Sequence, residues 1–137
     1  MIDIYSLSTN ELVAKLRSGD ISSVEVCNAY IDRINKYEKD VKAWSFLDKK
    51  ILLEKAEEAD VYRKTGKPIG PLHGLPIAIK DIIATYDMPT ECGSILRKGV
   101  TGAADAEVVN LIKASGALVM GKTCLLYTSD AADDSLR

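Results

Sequence analysis

The chain has 137 residues, 47% hydrophobic and 28% charged, which fits one ordinary globular domain and excludes a disordered, solvating chain. A formal net charge of -2 and a pI near 5.4 give no electrostatic footprint for nucleic acid. No stretch reaches the roughly 18 apolar residues of a membrane span, and the opening MIDIYSLSTN lacks the basic-then-apolar order of a secretory signal.

Ser8 with Glu11 forms a capping box, in which the serine oxygen takes an orphan amide and the glutamate returns the bond. Leu12 and Leu16 follow one turn apart, and Gly19 with Asp20 closes this first helix. Ser22 and Glu25 repeat the device, opening a second helix with Cys27, Tyr30, Ile31 and Ile34 on one face. The alternating stretch 43–47, carrying Trp44 and Phe46, predicts a short strand. From Asp48 to about Lys64 a third helix is expected, with Leu52, Leu53, Ala56 and Ala59 inward and Glu54, Lys55, Glu57 and Glu58 solvated. Residues 65–75, TGKPIGPLHGL, are dense in Gly and Pro and must form a constrained loop.

Residues 75–81, LPIAIKD, read as a strand buried on both faces that ends in ionisable residues. Asp105 is expected to cap a helix with Val108, Val109, Leu111 and Ile112 inward and Gly116 at its end. The apolar run 117–120 follows as another strand. Strand, helix and strand in this order make a βαβ-like unit, so the fold class is α/β, with N-terminal helices leading into a mixed sheet.

Residues 116–123, GALVMGKT, match the phosphate-loop pattern G-x-x-x-x-G-K-[ST]. A phosphate loop needs its variable positions in the turn after a strand and its Lys-Thr at the start of a helix. Here the variable positions are themselves strand-like, and no capped amphipathic segment follows Thr123. No nucleotide, other cofactor or metal is expected. Cys27, Cys92 and Cys124 are odd in number and lack C-x-x-C spacing, so they read as reduced thiols in a cytoplasmic protein.

Lys80 ends an apolar strand, and ligand sites of open α/β sheets lie at that carboxyl edge. Desolvation lowers a lysine's pKa towards the range where it accepts protons. The pattern alone also fits a strand-end lysine paired with Asp81 or another acid, and both readings stay open at this point.

Residues 70–81, GPLHGLPIAIKD, resemble the surroundings of the catalytic lysine in the amidase signature family. Residues 89–94, PTECGS, resemble the following segment of stand-alone amidases, and 105–109 with 116–123 resemble the family's next helix and strand. The resemblance implies an amide hydrolase with a Ser–Ser–Lys triad acting through an acyl-enzyme, in a sheet core of the amidase signature type. A lysine, neutral at rest, draws a proton through a bridging serine, which activates a second serine as nucleophile on the amide carbonyl. By this resemblance Lys80 is the catalytic lysine. His73 lies in the loop before the strand in a structural role, and Cys92 has no histidine base beside it.

Both triad serines belong to Gly/Ser-rich segments that follow in the family and have no match here, so this chain is expected to be inactive by itself. The implied partner is a small-molecule amide, with no membrane. Nucleic acid enters only for one branch of the family, the A subunit of the tRNA-dependent amidotransferase. A non-catalytic α/β binding module is the alternative of another class. The resemblance stops at Thr123. One back-translation of residues 124–133 resembles a transposase-type sequencing-library adapter. The expected organisation is 1–123 as the N-terminal part of an amidase domain and 124–137 as a non-native tail.

Overall fold

The structure is a computed structural model that describes residues 3–124. The expected tail lies outside the described residues, apart from Cys124, whose N–H donates to the Ala43 carbonyl at 2.7 Å.

Among the described residues there are four α-helices and three strands, in the order α1 (Thr9–Ser18), α2 (Ser23–Val41), β1 (Trp44–Phe46), α3 (Lys49–Lys64), β2 (Pro76–Lys80), α4 (Glu107–Ala114) and β3 (Leu118–Thr123). Short 3-10 turns occupy Ile4–Ser6 and Ile95–Arg97.

Both capping boxes form. At α1 the Ser8 N–H donates to Glu11 Oε2 at 2.8 Å while Ser8 Oγ accepts from the Glu11 N–H at 3.4 Å. At α2 the corresponding distances are 2.8 and 3.1 Å. The amides that open α2 gain a further partner, because buried Asp60 of α3 accepts from the Ser23 and Val24 N–H groups at 2.8 and 3.1 Å. A carboxylate at a helix N-terminus satisfies orphan donors and complements the helix dipole. It also fixes α3 against α2.

Central β3 pairs antiparallel with β1 and parallel with β2, giving the sheet order β1-β3-β2. Cys27 and Ile31 of α2 and Leu52 and Ala56 of α3 cover one face through Leu118 and Met120. On the other face Ile79 and Val119 meet Val109 of α4 and Met88. A third cluster joins Leu12 and Leu16 of α1 to Val26 and Leu75. The expected α/β class and the parallel strand–helix–strand unit are both present.

The parallel register slips at Met120: Ile77 lies opposite Val119, but Ala78 lies opposite Gly121. One extra residue in β3 is a bulge, which reverses the inward–outward phase of everything after it. Gly121 is required there, because a Cβ would sit 2.5 Å from the Phe46 carbonyl oxygen and 3.0 Å from the Trp44 ring.

Three local expectations are corrected. β2 is not buried on both faces: it is an edge strand, and Ala78 is exposed. Asp105 does not cap α4, whose N-cap position is Ala106. The Asp105 carboxylate instead accepts from the Tyr86 N–H at 2.7 Å and from Lys113 Nζ at 2.7 Å. Val108 and Leu111 are 47% and 59% exposed, so α4 buries only the narrow stripe of Val109 and Ile112, three residues apart.

Candidate active site

The loop before β2 is fastened before the strand begins. The Leu72 N–H donates to the Ser115 carbonyl at 3.0 Å, Gly74 to Gly116 at 2.9 Å, and Leu118 to Leu75 at 2.8 Å. Residues 70–75 thus run beside the turn from α4 into β3, and the β2–β3 ladder continues that pairing. The approach needs glycine, since a Cβ on Gly70 would lie 2.2 Å from the Ser115 carbonyl oxygen. His73 donates from Nε2 to the Ala59 carbonyl at 2.9 Å, with its ring 5.8 Å from that of Tyr62, and so ties the loop to α3.

This framework sets the position of Lys80, the last residue of β2, opposite Thr123. Strand alternation puts it on the face of Pro76 and Ala78, opposite Ile77 and Ile79. A cleft of about 300 Å³ opens on that face, lined in part by Tyr30, Arg33, Trp44, Ala78 and Met120. Lys80 is half-buried, and its ammonium has no hydrogen-bond or ion-pair partner among the described residues.

Pairing with Asp81 does not occur. The Asp81 carboxylate is buried and accepts from the Glu91 N–H at 3.0 Å, with Lys122 Nζ at 3.8 Å.

Lys122 is the charged residue that sequence reasoning passed over, because it was read only as part of the GKT match. In the structure GKT is strand, and the bulge at Met120 places Lys122 beside Ile79 on the face of Val119. Its side chain is fully buried. Nζ donates to the carbonyls of Ile83 (2.8 Å) and Pro89 (3.1 Å) and the hydroxyls of Thr85 (3.2 Å) and Thr90 (2.7 Å). Burial pushes its pKa below the usual lysine value, and the Asp81 carboxylate acts in the opposite direction. The available signal was a lone cation inside an apolar run, which has to find acceptors somewhere.

The cysteines are all free thiols. Burial, followed by the Asp60 carboxylate, pushes the Cys27 thiol up to about 12, which leaves it no nucleophilic role. Cys92 holds a positive φ of 54° and donates its N–H to the Asp81 carbonyl at 3.0 Å. Among the described residues, no cluster of three or more His, Cys, Asp and Glu could hold a metal, and no helix is long and apolar enough to cross a membrane.

The family profile described as Amidase matches residues 25–128. The chain belongs to the amidase signature family. It is 40% identical over 116 residues to the A subunit of the glutamyl-tRNA(Gln) amidotransferase of Rhodopirellula baltica, covering 85% of this chain and 23% of that protein. It is likewise 40% identical over 125 residues to the corresponding protein of Renibacterium salmoninarum, covering 91% and 24%. The native peptide amidase of Stenotrophomonas maltophilia superposes with a TM-score of 0.81 at 31% identity, over 90% of this chain and 26% of that one. A fatty acid amide hydrolase gives the same score and identity over 88% and 21%. This amidase signature chain therefore has the α/β fold of its relatives and spans about a quarter of their length.

Proposed function

We propose that this chain is the lysine-bearing part of an amide hydrolase in which Lys80 is the proton acceptor of a Ser–Ser–Lys relay. The observation that carries the reading is Lys80 Nζ, half-buried at the carboxyl end of β2 and without an acidic partner among the described residues. A lysine held by a carboxylate has its nitrogen engaged, and one left unpaired has it free to meet a serine hydroxyl. In the forward step Lys80 Nζ, entering as the neutral amine that the relay requires, takes the proton of a bridging serine as that serine takes the proton of the nucleophilic serine. The nucleophile's oxygen bonds to the amide carbon, the C–N bond breaks, and the relay returns a proton to the departing amine. Water then releases the acyl group by the same route.

Both serines would come from residues beyond those matched here, in a longer protein whose first part corresponds to residues 1–123. The isolated chain then hydrolyses no amide. The substrate class is a small amide, and with three free thiols the compartment is the cytoplasm. A second reading within the family, the A subunit of a tRNA-dependent amidotransferase that takes ammonia from glutamine, is favoured by the identities of 40% to two such proteins.

The test assays the longer protein and the 137-residue chain with glutamine, a primary amide and a chromogenic anilide. Lys80→Ala in the longer protein should lower kcat by roughly three to six orders of magnitude, as loss of one triad member does. A fully active Lys80→Ala enzyme ends the assignment. Activity in the short chain that depends on Lys80 ends the claim that the serines lie elsewhere. Turnover of glutamine alone selects the amidotransferase reading.

A further inference from the structure

We propose that Lys122 is a positioning residue for this reaction: its buried ammonium fixes the turn 81–90 and, through Asp81, the strand end that carries Lys80. The proposal rests on the reading of Lys80 as the proton acceptor.

The two lysines occupy neighbouring strands, but their surroundings are opposite. Lys122 is 0% exposed, whereas Lys80 is half-buried with its ammonium unpartnered among the described residues. An ammonium has three donors and no acceptor. Those of Lys122 are spent on Ile83 O, Pro89 O, Thr85 Oγ1 and Thr90 Oγ1, all within 3.2 Å and all in one turn. Nothing remains for a substrate, and no surface of the residue is open to one.

The same turn is bonded back onto the end of β2. The Ile83 N–H donates to the Lys80 carbonyl at 3.0 Å, and the Asp81 N–H to the Thr123 carbonyl at 3.0 Å. Asp81 also receives the Cys92 N–H on its carbonyl and the Glu91 N–H on Oδ1, both at 3.0 Å, while Oδ1 lies 3.8 Å from Lys122 Nζ. Lys122 thus holds Ile83, whose N–H binds the Lys80 carbonyl, and faces the carboxylate of Asp81, the residue that follows Lys80. The β3 bulge brings the lysine to this side of the sheet. Catalytic geometry is lost when a supporting shell lets a reacting group drift by about 1 Å. A residue of this kind acts on kcat and leaves substrate binding alone.

The experiment measures kcat, KM and thermal unfolding of the longer amidase carrying Lys122→Met, Thr90→Val or Lys80→Ala, with glutamine and an anilide as substrates. Lys122→Met should lower kcat about 100-fold, the cost of such a misplacement, with KM unchanged. Thr90→Val keeps the lysine, removes the acceptor at 2.7 Å, and should lower kcat about tenfold, again at constant KM. If Lys122→Met does not fold, Thr90→Val decides, and an unchanged kcat in that folded variant overturns the proposal. A raised KM at constant kcat overturns it in favour of ground-state substrate binding. An inactive Lys80→Ala beside a fully active Lys122→Met defeats the positioning role alone. A fully active Lys80→Ala defeats the reading of Lys80 and this proposal with it.

Discussion

The segment from α1 to α3 and the segment 81–106 are held by different means. In the first, caps close over three residues, and Leu16, Val26, Leu52 and Ala56 are buried almost completely within or between helices. The second has one 3-10 turn and one isolated bridge, Pro89 opposite Thr101. Its backbone groups find partners across the segment, as in Gly102 N–H to Thr85 O and Ala106 N–H to Ala84 O, or on Lys122 of β3. A helix satisfies its own peptide groups, and an irregular segment must import donors and acceptors. Where the imported donor is a single ammonium, as for the carbonyls of Ile83 and Pro89, the order of that turn hangs on one side chain.

The largest expected effect therefore comes from Lys122→Met, which strands buried Asp81 and orphans several acceptors. It should cost about 3–5 kcal/mol in urea unfolding, with amide exchange rising across 81–106 and little change in α1 to α3. Equal loss of protection in both regions would break the comparison. Next, Asp60→Ala should cost about 2–3 kcal/mol and show the converse, with exchange rising at the start of α2, whose amides it holds, and 81–106 unaffected.

Ser22→Ala removes one side of a capping box on an exposed surface and should cost about 1 kcal/mol, with exchange changes confined to the first turn of α2. The smallest effect is pH-dependent. Burial raises the pKa of Asp87, but hydrogen bonds and charge from Lys55 and then Lys113 outweigh it and leave the carboxyl below its usual value. A depressed folded pKa contributes stability that is present above the unfolded carboxylate value and is lost as pH falls through the folded one. Asp87 is 32% exposed, so the contribution is about 1 kcal/mol or less. Stability should fall between about pH 5 and 3 less steeply in Asp87→Asn than in the parent. Parallel declines would remove Asp87 from the account.

The comparison also explains what could be read in advance. Ser8, Ser22 and Asp48 cap the helices that their neighbours announce, because each bond lies within a few residues. Asp105 looked like a cap by the same local rule, but Tyr86 and Lys113, 19 and 8 residues away, claim its carboxylate. The place of Lys80 at a strand end was legible from its apolar run. The exposure of Ala78 was not, since edge or centre depends on which strands pair. Lys122 was the hardest to read. Its acceptors lie 32 to 39 residues earlier, and a one-residue bulge decides which face receives it.

That bulge sets a limit on how this chain can change length. A residue gained or lost between Lys98 and Ala104 would alter a stretch that is largely exposed and far from the sheet register. Loss of Met120 would leave Ala78 opposite Gly121 and Ile79 opposite Lys122, but it would take a buried side chain out of the layer of Ala56 and Leu52 and leave a cavity there. Length variants of this chain should therefore collect in the first stretch and be missing from the second, even though a strand with one residue fewer would pair more regularly.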